Sequence, residues 1–254
     1  MVKDRKRVES EKLSETRGHL VVKRNDLIQK SRHQLDLQEQ KIILYMISKI
    51  KPNDKDFTEQ VFSVAEFCRV CGLDDDNGGN YAYIKKTLKS LRDRSIWVEL
   101  EDGIETTLAW INTVQIEKRS GLVKLELDKN MQPFLLELKE NFTQYELIYT
   151  LAMRSQYSVR LYELLKSYQY KKQAVFDMDE LKRLLFAENY KLGKDFRKRV
   201  LEVATREINK LTDILVTYEL IKVGRKFAEV EFCITQKNTG ERLNTWADIS
   251  AVLD

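Results

Sequence analysis

The sequence predicts a helix-rich α+β fold made of two tandem domains. Glycine and proline are scarce, with 9 and 2 among 254 residues, which argues against a many-stranded sandwich with frequent tight turns. Apolar residues recur at helical spacing in several segments, and one order of helices and strands occurs twice along the chain. The length suits two domains of ordinary size, each with its own core.

The first half begins with a polar segment, residues 1–19, which we expect to be flexible. In LDLQEQKIILYMISKI, apolar residues at helical spacing predict a helix that ends before Pro52. Ser63 followed by Glu66 is a capping-box pattern and predicts a short second helix. NYAYIKKTLKSLRDR predicts a third helix. After it, SIWVEL, TLAWINTVQI and LVKLELD have the apolar patterns of strands, separated by the turns EDG and RSG.

The second half repeats this order. When the chain is shifted by 114 positions, FSVAEFCRVCGL (62–73) lies over FDMDELKRLLFA (176–187), and Asp177 with Glu180 repeats the cap. The helix SVRLYELLKSYQY precedes this segment, and KDFRKRVLEVATREINKL follows it as a third helix. The strands ILVTYEL and AEVEFCI come next, joined by the basic turn IKVGRK. Two copies of one unit predict two domains rather than a solenoid.

Three helices followed by a β-hairpin are typical of a winged helix, in which the second and third helices form a helix-turn-helix and the hairpin forms the wing. We predict one such domain at residues 20–140 and another at 141–236, followed by a tail, 237–254, to which the sequence assigns no role. The third helix of each domain is then the candidate DNA-recognition helix.

The third helix of the second domain has an apolar face and a basic remainder. On a helical wheel, the residues that would face the core are Phe196, Val200, Val203, Ala204, Ile208 and Leu211. Residues 194–210 carry six basic and three acidic side chains. Lys and Arg release counterions from phosphates, Arg can hold guanine O6 and N7, and Glu can accept from cytosine N4. The candidate DNA contacts are Lys194, Arg197, Lys198, Arg199, Glu202, Thr205 and Arg206 on the helix, and Lys222, Arg225 and Lys226 in the wing.

A solvated surface helix with ion pairs such as Glu202–Arg206 would account for the same charges. Two features favour DNA binding: the place of this helix in the winged helix, and a similar helix in the first repeat. There YIKKTLKSLRDR carries five basic residues against one acid. These basic residues are Lys85, Lys86, Lys89, Arg92 and Arg94, of which we take the three lysines as candidate DNA contacts.

The remaining motifs favour structural roles. Cys68 and Cys71 form C-x-x-C without a second such pair, whereas a structural zinc needs four ligands, so two small buried residues are the favoured interpretation. In DDDNGG (74–79), Lys85 stands where a calcium loop needs its last oxygen ligand, which favours an exposed turn. No P-loop pattern occurs. We predict neither a metal nor another cofactor.

Tyrosines such as Tyr157, Tyr162 and Tyr168 could in principle serve a strand-nicking enzyme. Such enzymes generally also hold a metal with clustered histidines, and the two histidines here, His19 and His33, stand apart. The tyrosines recur at helical spacing, which favours core packing. We find no catalytic constellation.

The composition favours a soluble cytoplasmic protein. Three cysteines, an odd and low number, suit a reducing compartment. The N-terminus MVKDRKRVESEKLSETRG lacks the apolar region of a secretory signal, and no run approaches the roughly 18 apolar residues that span a bilayer. The net charge of +4 is a mild excess that says little about partners. We expect no contact with a membrane.

The chain resembles the plasmid replication initiators of the Rep_3 (RepB/RepE-like, iteron-binding) family. Three segments carry the resemblance: VVKRNDLIQKSRHQLDLQEQKIILYMISKI near the start, NFTQYELIYTLAMRSQYSVRLYELLKSY at the domain junction, and DFRKRVLEVATREINKLTDILVTYELIKVGRK near the end. It covers nearly all of residues 20–236, and the last two segments are specific.

The resemblance implies a non-enzymatic bacterial initiator that binds directly repeated origin sequences (iterons) in double-stranded DNA as a monomer. Such proteins help to open the adjacent AT-rich DNA and recruit the host initiator and the replicative helicase. As dimers, many bind an inverted repeat and repress their own gene.

The resemblance also implies how the two domains divide this work. The second domain would make most of the major-groove contacts through the helix Lys194–Leu211, while the first would add DNA contacts and the dimer interface. By position, the foremost candidates are Arg197, Lys198, Arg199 and Arg206, and the secondary ones are Lys85, Lys86 and Lys89.

Two other functions stay open. One is a transcriptional repressor that shares the double winged-helix fold without an initiator role. The other is a relaxase-like nicking enzyme with a tyrosine nucleophile.

Overall fold

The computed structural model describes residues 2–51, 53–73, 78–99, 103–224 and 226–254, with only the backbone for 2–9, 78–80, 223 and 226. The elements up to residue 135 are α1 (Val2–Gly18), β1 (Leu20–Arg24), α2 (Asn25–Gln29), β2 (Ser31–Arg32), α3 (Leu37–Ile47), β3 (Gln60–Ser63), α4 (Val64–Val70), α5 (Gly78–Arg92), β4 (Ser95–Glu99), β5 (Glu105–Ala109), β6 (Ile111–Ile116), β7 (Leu122–Leu127) and α6 (Gln132–Leu135). The later elements are β8 (Phe142–Glu146), α7 (Ile148–Leu151), α8 (Gln156–Ser167), β9 (Gln173–Asp177), α9 (Met178–Leu184), α10 (Gly193–Phe196), α11 (Glu202–Leu211), β10 (Ile214–Val223), β11 (Lys226–Gln236) and α12 (Thr239–Leu253). Short 3-10 turns stand at Lys129–Met131 and Gln169–Lys171, and a π turn, Arg197–Leu201, joins α10 to α11.

Both halves contain the predicted helices and hairpin. The three helices are α3, α4 and α5 in the first half, and α8, α9 and α10–α11 in the second. The wing hairpins are β6–β7 and β10–β11, and in the first half the antiparallel pair β4–β5 stands between the third helix and the wing. In each half the second hairpin strand pairs with the strand that leads into the second helix, β7 with β3 and β11 with β9. The prediction of two tandem winged-helix domains is confirmed.

The predicted caps begin the second helix of each domain. The Ser63 side chain accepts from the Glu66 backbone N–H at the start of α4, and Asp177 accepts from the Asp179 and Glu180 N–H groups at the start of α9. The capping box at Ser63 is only half formed, because the Glu66 carboxylate instead accepts from the Tyr45 hydroxyl at 2.8 Å. The sequence signal therefore located both helix starts.

The predicted strand TLAWINTVQI is wrong as a single strand, because it is divided at Trp110. The part before Trp110, β5, joins β4 and β2, whereas the part after it, β6, joins β7 and β3. The Trp110 side chain is 1% exposed, and its ring meets that of His33 edge to face at 5.5 Å between centroids. Burial of this large ring turns the chain from one sheet into the other.

Both terminal segments contain a helix that the sequence analysis did not predict, and the flexibility expected for residues 1–19 stays a prediction. Arg17 lies in the last turn of α1, and its buried guanidinium contacts four oxygen atoms of distant residues. α12 begins with a capping box formed by Asn238 and Glu241. The polar composition of residues 1–19 indicated flexibility because it carries no sign of this long-range contact.

The two halves share one hydrophobic core, and charged groups lie buried where they meet. β1 pairs antiparallel with β8, and Lys23 on β1 contacts Glu163 on α8 at 2.6 Å. The Tyr145 hydroxyl donates to the same carboxylate at 2.6 Å, and Arg160 donates to the Ser31 carbonyl at 2.8 Å. The predicted boundary between residues 140 and 141 stays a prediction.

His33 lies at the same junction and predicts a pH dependence of stability. Burial, with Arg160 and Lys23 nearby, holds the pKa of its imidazole well below 6.5. As the pH falls, the unfolded chain therefore binds this proton before the folded chain does. The contribution of neutral His33 to the free energy of unfolding is fully present above about pH 6.5. Below that pH it decreases, by at most about 1.4 kcal/mol per pH unit. His33→Phe, which keeps a ring against Trp110, should flatten this loss between about pH 6.5 and 5 in urea unfolding. An unchanged pH profile would contradict the assignment.

Candidate DNA interface

The recognition helix of the second domain is not a regular α-helix. The Glu202 backbone N–H bonds to the Arg197 carbonyl five residues earlier, which defines a π turn. Phe196, Val200, Ala204 and Ile208 are fully buried as predicted. Leu201 is buried as well, while Val203 is only half-buried, so the predicted apolar face is corrected at these positions. The wheel assumed 3.6 residues per turn throughout, and the wider π turn rotates the residues that follow it.

The basic side chains of this helix are exposed. They are Lys194, Arg197, Lys198, Arg199 and Arg206, together with the acidic Glu202. Thr205 differs from the prediction: it is half-buried, its Oγ1 is shut off from solvent, and no described residue bonds to it. In this conformation the Thr205 hydroxyl cannot contact DNA. DNA contact by the exposed residues stays a prediction.

Glu202 forms an ion pair with Arg197 rather than with Arg206. The Arg197 Nε lies 3.0 Å from the Glu202 Oε1, and the two side chains are 54% and 44% exposed. The π turn explains this partner, because it brings residues five apart onto one side of the helix. An exposed pair contributes at most about 1 kcal/mol, so a DNA phosphate can compete with Glu202 for Arg197.

Asn209, which the helical wheel places away from the core, does not face outward. Its amide donates to the Val216 carbonyl at 2.9 Å and accepts from the Val216 N–H at 2.6 Å. The side chain therefore ties the last turn of α11 to β10 and fixes the angle between the recognition helix and the wing.

Asn209→Ala should lower the free energy of unfolding by about 1–3 kcal/mol, because it leaves two backbone groups of buried Val216 without partners. Urea unfolding measures this loss. Lys210→Ala, at the exposed neighbouring position, is the matched control and should stay within about 0.5 kcal/mol of the parent. Equal stabilities of the two variants would contradict the role of Asn209.

The wing of the second domain is the long hairpin β10–β11, which has an irregularity between Ile221 and Lys222. Lys222 is exposed, and its Nζ lies 4.9 Å from the centre of the Phe227 ring. Of the other wing candidates, Arg225 lies outside the described residues, and so does the side chain of Lys226.

The recognition helix of the first domain, α5, presents a second basic surface. Lys85, Lys86, Lys89 and Arg92 are exposed. Arg94 has a structural partner instead: its Nε lies 3.0 Å from the Oε1 of Glu39, whose side chain is fully buried. Ser90 donates to the same oxygen at 2.6 Å. Arg94 therefore holds α5 to α3.

Two exposed basic residues escaped the sequence analysis. Lys118 and Arg119 lie in the turn between β6 and β7, the position in the first domain that matches the second domain's wing turn. Because the extra strands β4 and β5 precede β6, a shift of 114 residues does not align this turn with the wing turn of the second domain. The turn EKRSG, matched to IKVGRK by topology rather than by register, would have identified them.

The alternative sites do not gain support from the geometry. Cys68 and Cys71 are buried in and beside α4, and burial raises the pKa of the Cys71 thiol to about 12. The Tyr162 side chain is fully buried and donates to Asp213 at 2.8 Å, and burial raises its pKa, which opposes use as a nucleophile. The loop from Asp74 to Asn77 lies outside the described residues. Among the residues described, no helix is both long and apolar enough to cross a membrane.

Two family models together match most of the chain. The model described as "Initiator Replication protein, WH1" matches residues 20–166, and the one described as "Initiator Rep protein, WH2" matches residues 177–234. Each matched range includes the helix-turn-helix and hairpin of one half.

Curated and solved proteins agree with this match. The chain is 26% identical over 220 residues to a replication initiation protein of Escherichia coli, covering 82% of this chain and 67% of that protein. It is 30% identical over 149 residues to the PI protein of Escherichia coli, covering 50% of this chain and 48% of that protein. The chain thus spans about two thirds of the length of one relative and about half of the other.

A solved structure shares the fold. The Pi initiator protein in complex with iteron DNA superposes with a TM-score of 0.71 at 21% identity, covering 87% of this chain and 99% of that chain. Fold and family models thus agree with the resemblance that the three sequence segments carry, and the chain belongs to the family of initiator replication proteins with two winged-helix domains.

Proposed function

We propose that the protein initiates plasmid replication by binding directly repeated origin sequences in double-stranded DNA. The observation that carries this proposal is the exposed basic surface of α10–α11, in the recognition position of a domain that matches the WH2 model. The Pi initiator protein, which shares the fold, is solved on iteron DNA. The exposed basic helix and the shared fold both support a DNA-binding role rather than a catalytic one.

The geometry divides the DNA contacts between two kinds of side chain. Lys198, Arg199 and Arg206 project from the recognition helix, where the guanidinium groups can take guanine O6 and N7 as a bidentate pair. Lys194 and Lys222 stand at the edges of the interface and suit phosphates, whose contacts position the protein without reading sequence. The lysines of α5 and the turn residues Lys118 and Arg119 would extend this contact in the first domain.

Further steps belong to the same proposal. After binding, the protein would help to open adjacent AT-rich DNA and recruit the host initiator and the replicative helicase in the bacterial cytoplasm. A dimer, formed through the first domain, would bind an inverted repeat and repress the protein's own gene. The family membership supports these steps.

A transcriptional repressor with the same fold is the second candidate, since the exposed basic helices would serve it equally well. Band shifts on two fragments separate the candidates: direct repeats from the DNA that encodes the chain, and an inverted repeat from upstream of its gene. We expect successive complexes on the direct repeats and permanganate-reactive thymines in the neighbouring AT-rich DNA. Binding to the inverted repeat alone, without opening, would establish the repressor instead. A covalent protein–DNA adduct formed with supercoiled origin DNA and a divalent metal would indicate a nicking enzyme.

A further inference from the structure

Two segments that lie outside both family models, α1 and α12, meet at one side chain, Arg17. Its Nε donates to the Val70 carbonyl at 3.1 Å, and its Nη2 donates to the Arg69 and Leu253 carbonyls at 2.9 and 3.3 Å. Its Nη1 lies 2.6 Å from the Asp254 carboxylate. Arg17 is 2% exposed. One buried guanidinium thus joins α1, α4 and α12.

The chemistry of this contact suits arginine. α1, α4 and α12 all end beside it, and the carbonyl groups at the end of a helix carry partial negative charge. The fork of a guanidinium can satisfy several such oxygens at once, which a lysine ammonium cannot do with fixed geometry. The fit is close as well, because a Cβ on Gly72, after α4, would lie 2.8 Å from the Leu253 Cα.

The other end of α12 is tied to the recognition helix of the second domain. Lys237, just before α12, donates from its Nζ to the Asn209 carbonyl in α11 at 2.7 Å and to the Thr245 hydroxyl at 3.0 Å. In its middle, the Trp246 indole N–H donates to Glu146 on β8 at 2.7 Å. With 15 residues, α12 is about 22 Å long. It therefore runs from the recognition helix of one domain to α4, the first helix of the other domain's helix-turn-helix.

We propose that α12 is a spacer between the two helix-turn-helix units and that Arg17 is the positioning residue that fixes its far end. This inference rests on the proposed function, because the spacing matters only when both domains contact one DNA site. Two domains held at a fixed spacing bind the second half of a site at high effective concentration. If the contacts between Arg17 and α12 are lost, each domain can still make its own contacts in the DNA groove. Binding of both domains to one DNA site at the same time then becomes less favourable.

The test compares Arg17→Met with Lys12→Met, which removes the same charge from an exposed position of α1. The probes are a duplex with one origin repeat and a shorter duplex with only the half that the second domain protects in a footprint. We expect Arg17→Met to bind the full duplex about tenfold more weakly and the short duplex unchanged. Lys12→Met should match the parent on both. An equal loss on both duplexes, or no loss on either, would overturn the positioning role.

A second measurement needs no DNA and separates this inference from the proposed function. Nitroxide labels on the exposed native Cys233, in β11, and on a Ser120→Cys variant, in the turn between β6 and β7, report the distance between the two domains, since Cys68 and Cys71 are buried. Arg17→Met should broaden the distance distribution, whereas Lys12→Met should not. An unchanged distribution with Arg17→Met would overturn the spacer. If Arg17→Met broadens the distance distribution but the parent protein does not bind origin DNA, the proposed function is refuted while the spacer role of α12 is supported.

Discussion

Glu163→Ala should lower the free energy of unfolding by about 3–5 kcal/mol. Glu163 is the shared acceptor at the junction of the two domains, with Lys23 at 2.6 Å and the Tyr145 hydroxyl at 2.6 Å. The side chains of Lys23 and Glu163 are only 6% and 4% exposed, so removal of the carboxylate leaves an ammonium group buried without a counter-charge. Burial already lowers the pKa of Lys23, which shows the direction of this cost.

Urea unfolding of the single and double variants tests this account of the junction. Lys23→Met combined with Glu163→Met should lose less stability than Glu163→Ala, because an apolar pair of similar volume carries no buried charge. Arg183→Ala is the control, since Arg183 and its partner Glu180 are 41% and 42% exposed and such pairs contribute at most about 1 kcal/mol. A loss for Glu163→Ala no larger than that of the control would refute the buried pair as a determinant of the junction.

The second large effect concerns DNA affinity. Lys198→Ala combined with Arg206→Ala should weaken binding to an origin repeat by at least tenfold at moderate salt, because each side chain is exposed on the recognition helix. Loss of a phosphate contact makes the slope of log affinity against log salt less negative by about 0.9. A base contact that is lost costs about 1–3 kcal/mol and relaxes the choice of base at one position. The single variants therefore show which of the two contacts each residue makes.

Lys171→Ala is the matched control for this measurement. Lys171 is also exposed, but it lies in the turn before β9, at the base of the second domain's sheet rather than at the tip of its wing. Its removal should leave affinity and salt slope within about twofold of the parent. If both recognition-helix variants bind like Lys171→Ala, the DNA-binding face has been placed wrongly.

Local signals predicted the framework of the fold. Ser63 and Asp177 are short polar residues whose side chains cap whichever helix begins after them, so the sequence alone located the starts of α4 and α9. The internal repeat then placed α5 and α10–α11 as third helices, because their order along the chain needs no long-range information.

The misses come from contacts between residues that are far apart in sequence. Arg17 donates hydrogen bonds to oxygen atoms of residues 69, 70, 253 and 254, and no local pattern in the polar N-terminal segment predicts these partners. Trp110 divides a strand because its ring is buried against His33. Asn209 resembles a surface residue on a helical wheel, yet its partner is Val216 in the next strand.

The π turn is the miss that matters most for the site. The sequence RKRVL carries no helix breaker, so a regular helix was the natural expectation for Arg197–Leu201. The turn pairs Arg197 with Glu202 and leaves Lys198 and Arg199 exposed beside the pair. Because π turns are frequent at functional sites, this irregularity strengthens the choice of α10–α11 as the DNA-reading element.

Guanine methylation interference on a fragment of direct repeats, from the DNA that encodes the chain, tests the central claim most directly. N7 of guanine lies in the major groove, so a recognition helix in that groove is sensitive to its methylation. We predict interference at the same guanines in every repeat, with the signal at one position lost in the Lys198→Ala or Arg206→Ala protein. Interference confined to a single inverted repeat would contradict the recognition of direct repeats. Binding that is unaffected by N7 methylation would contradict the placement of the recognition helix in the major groove.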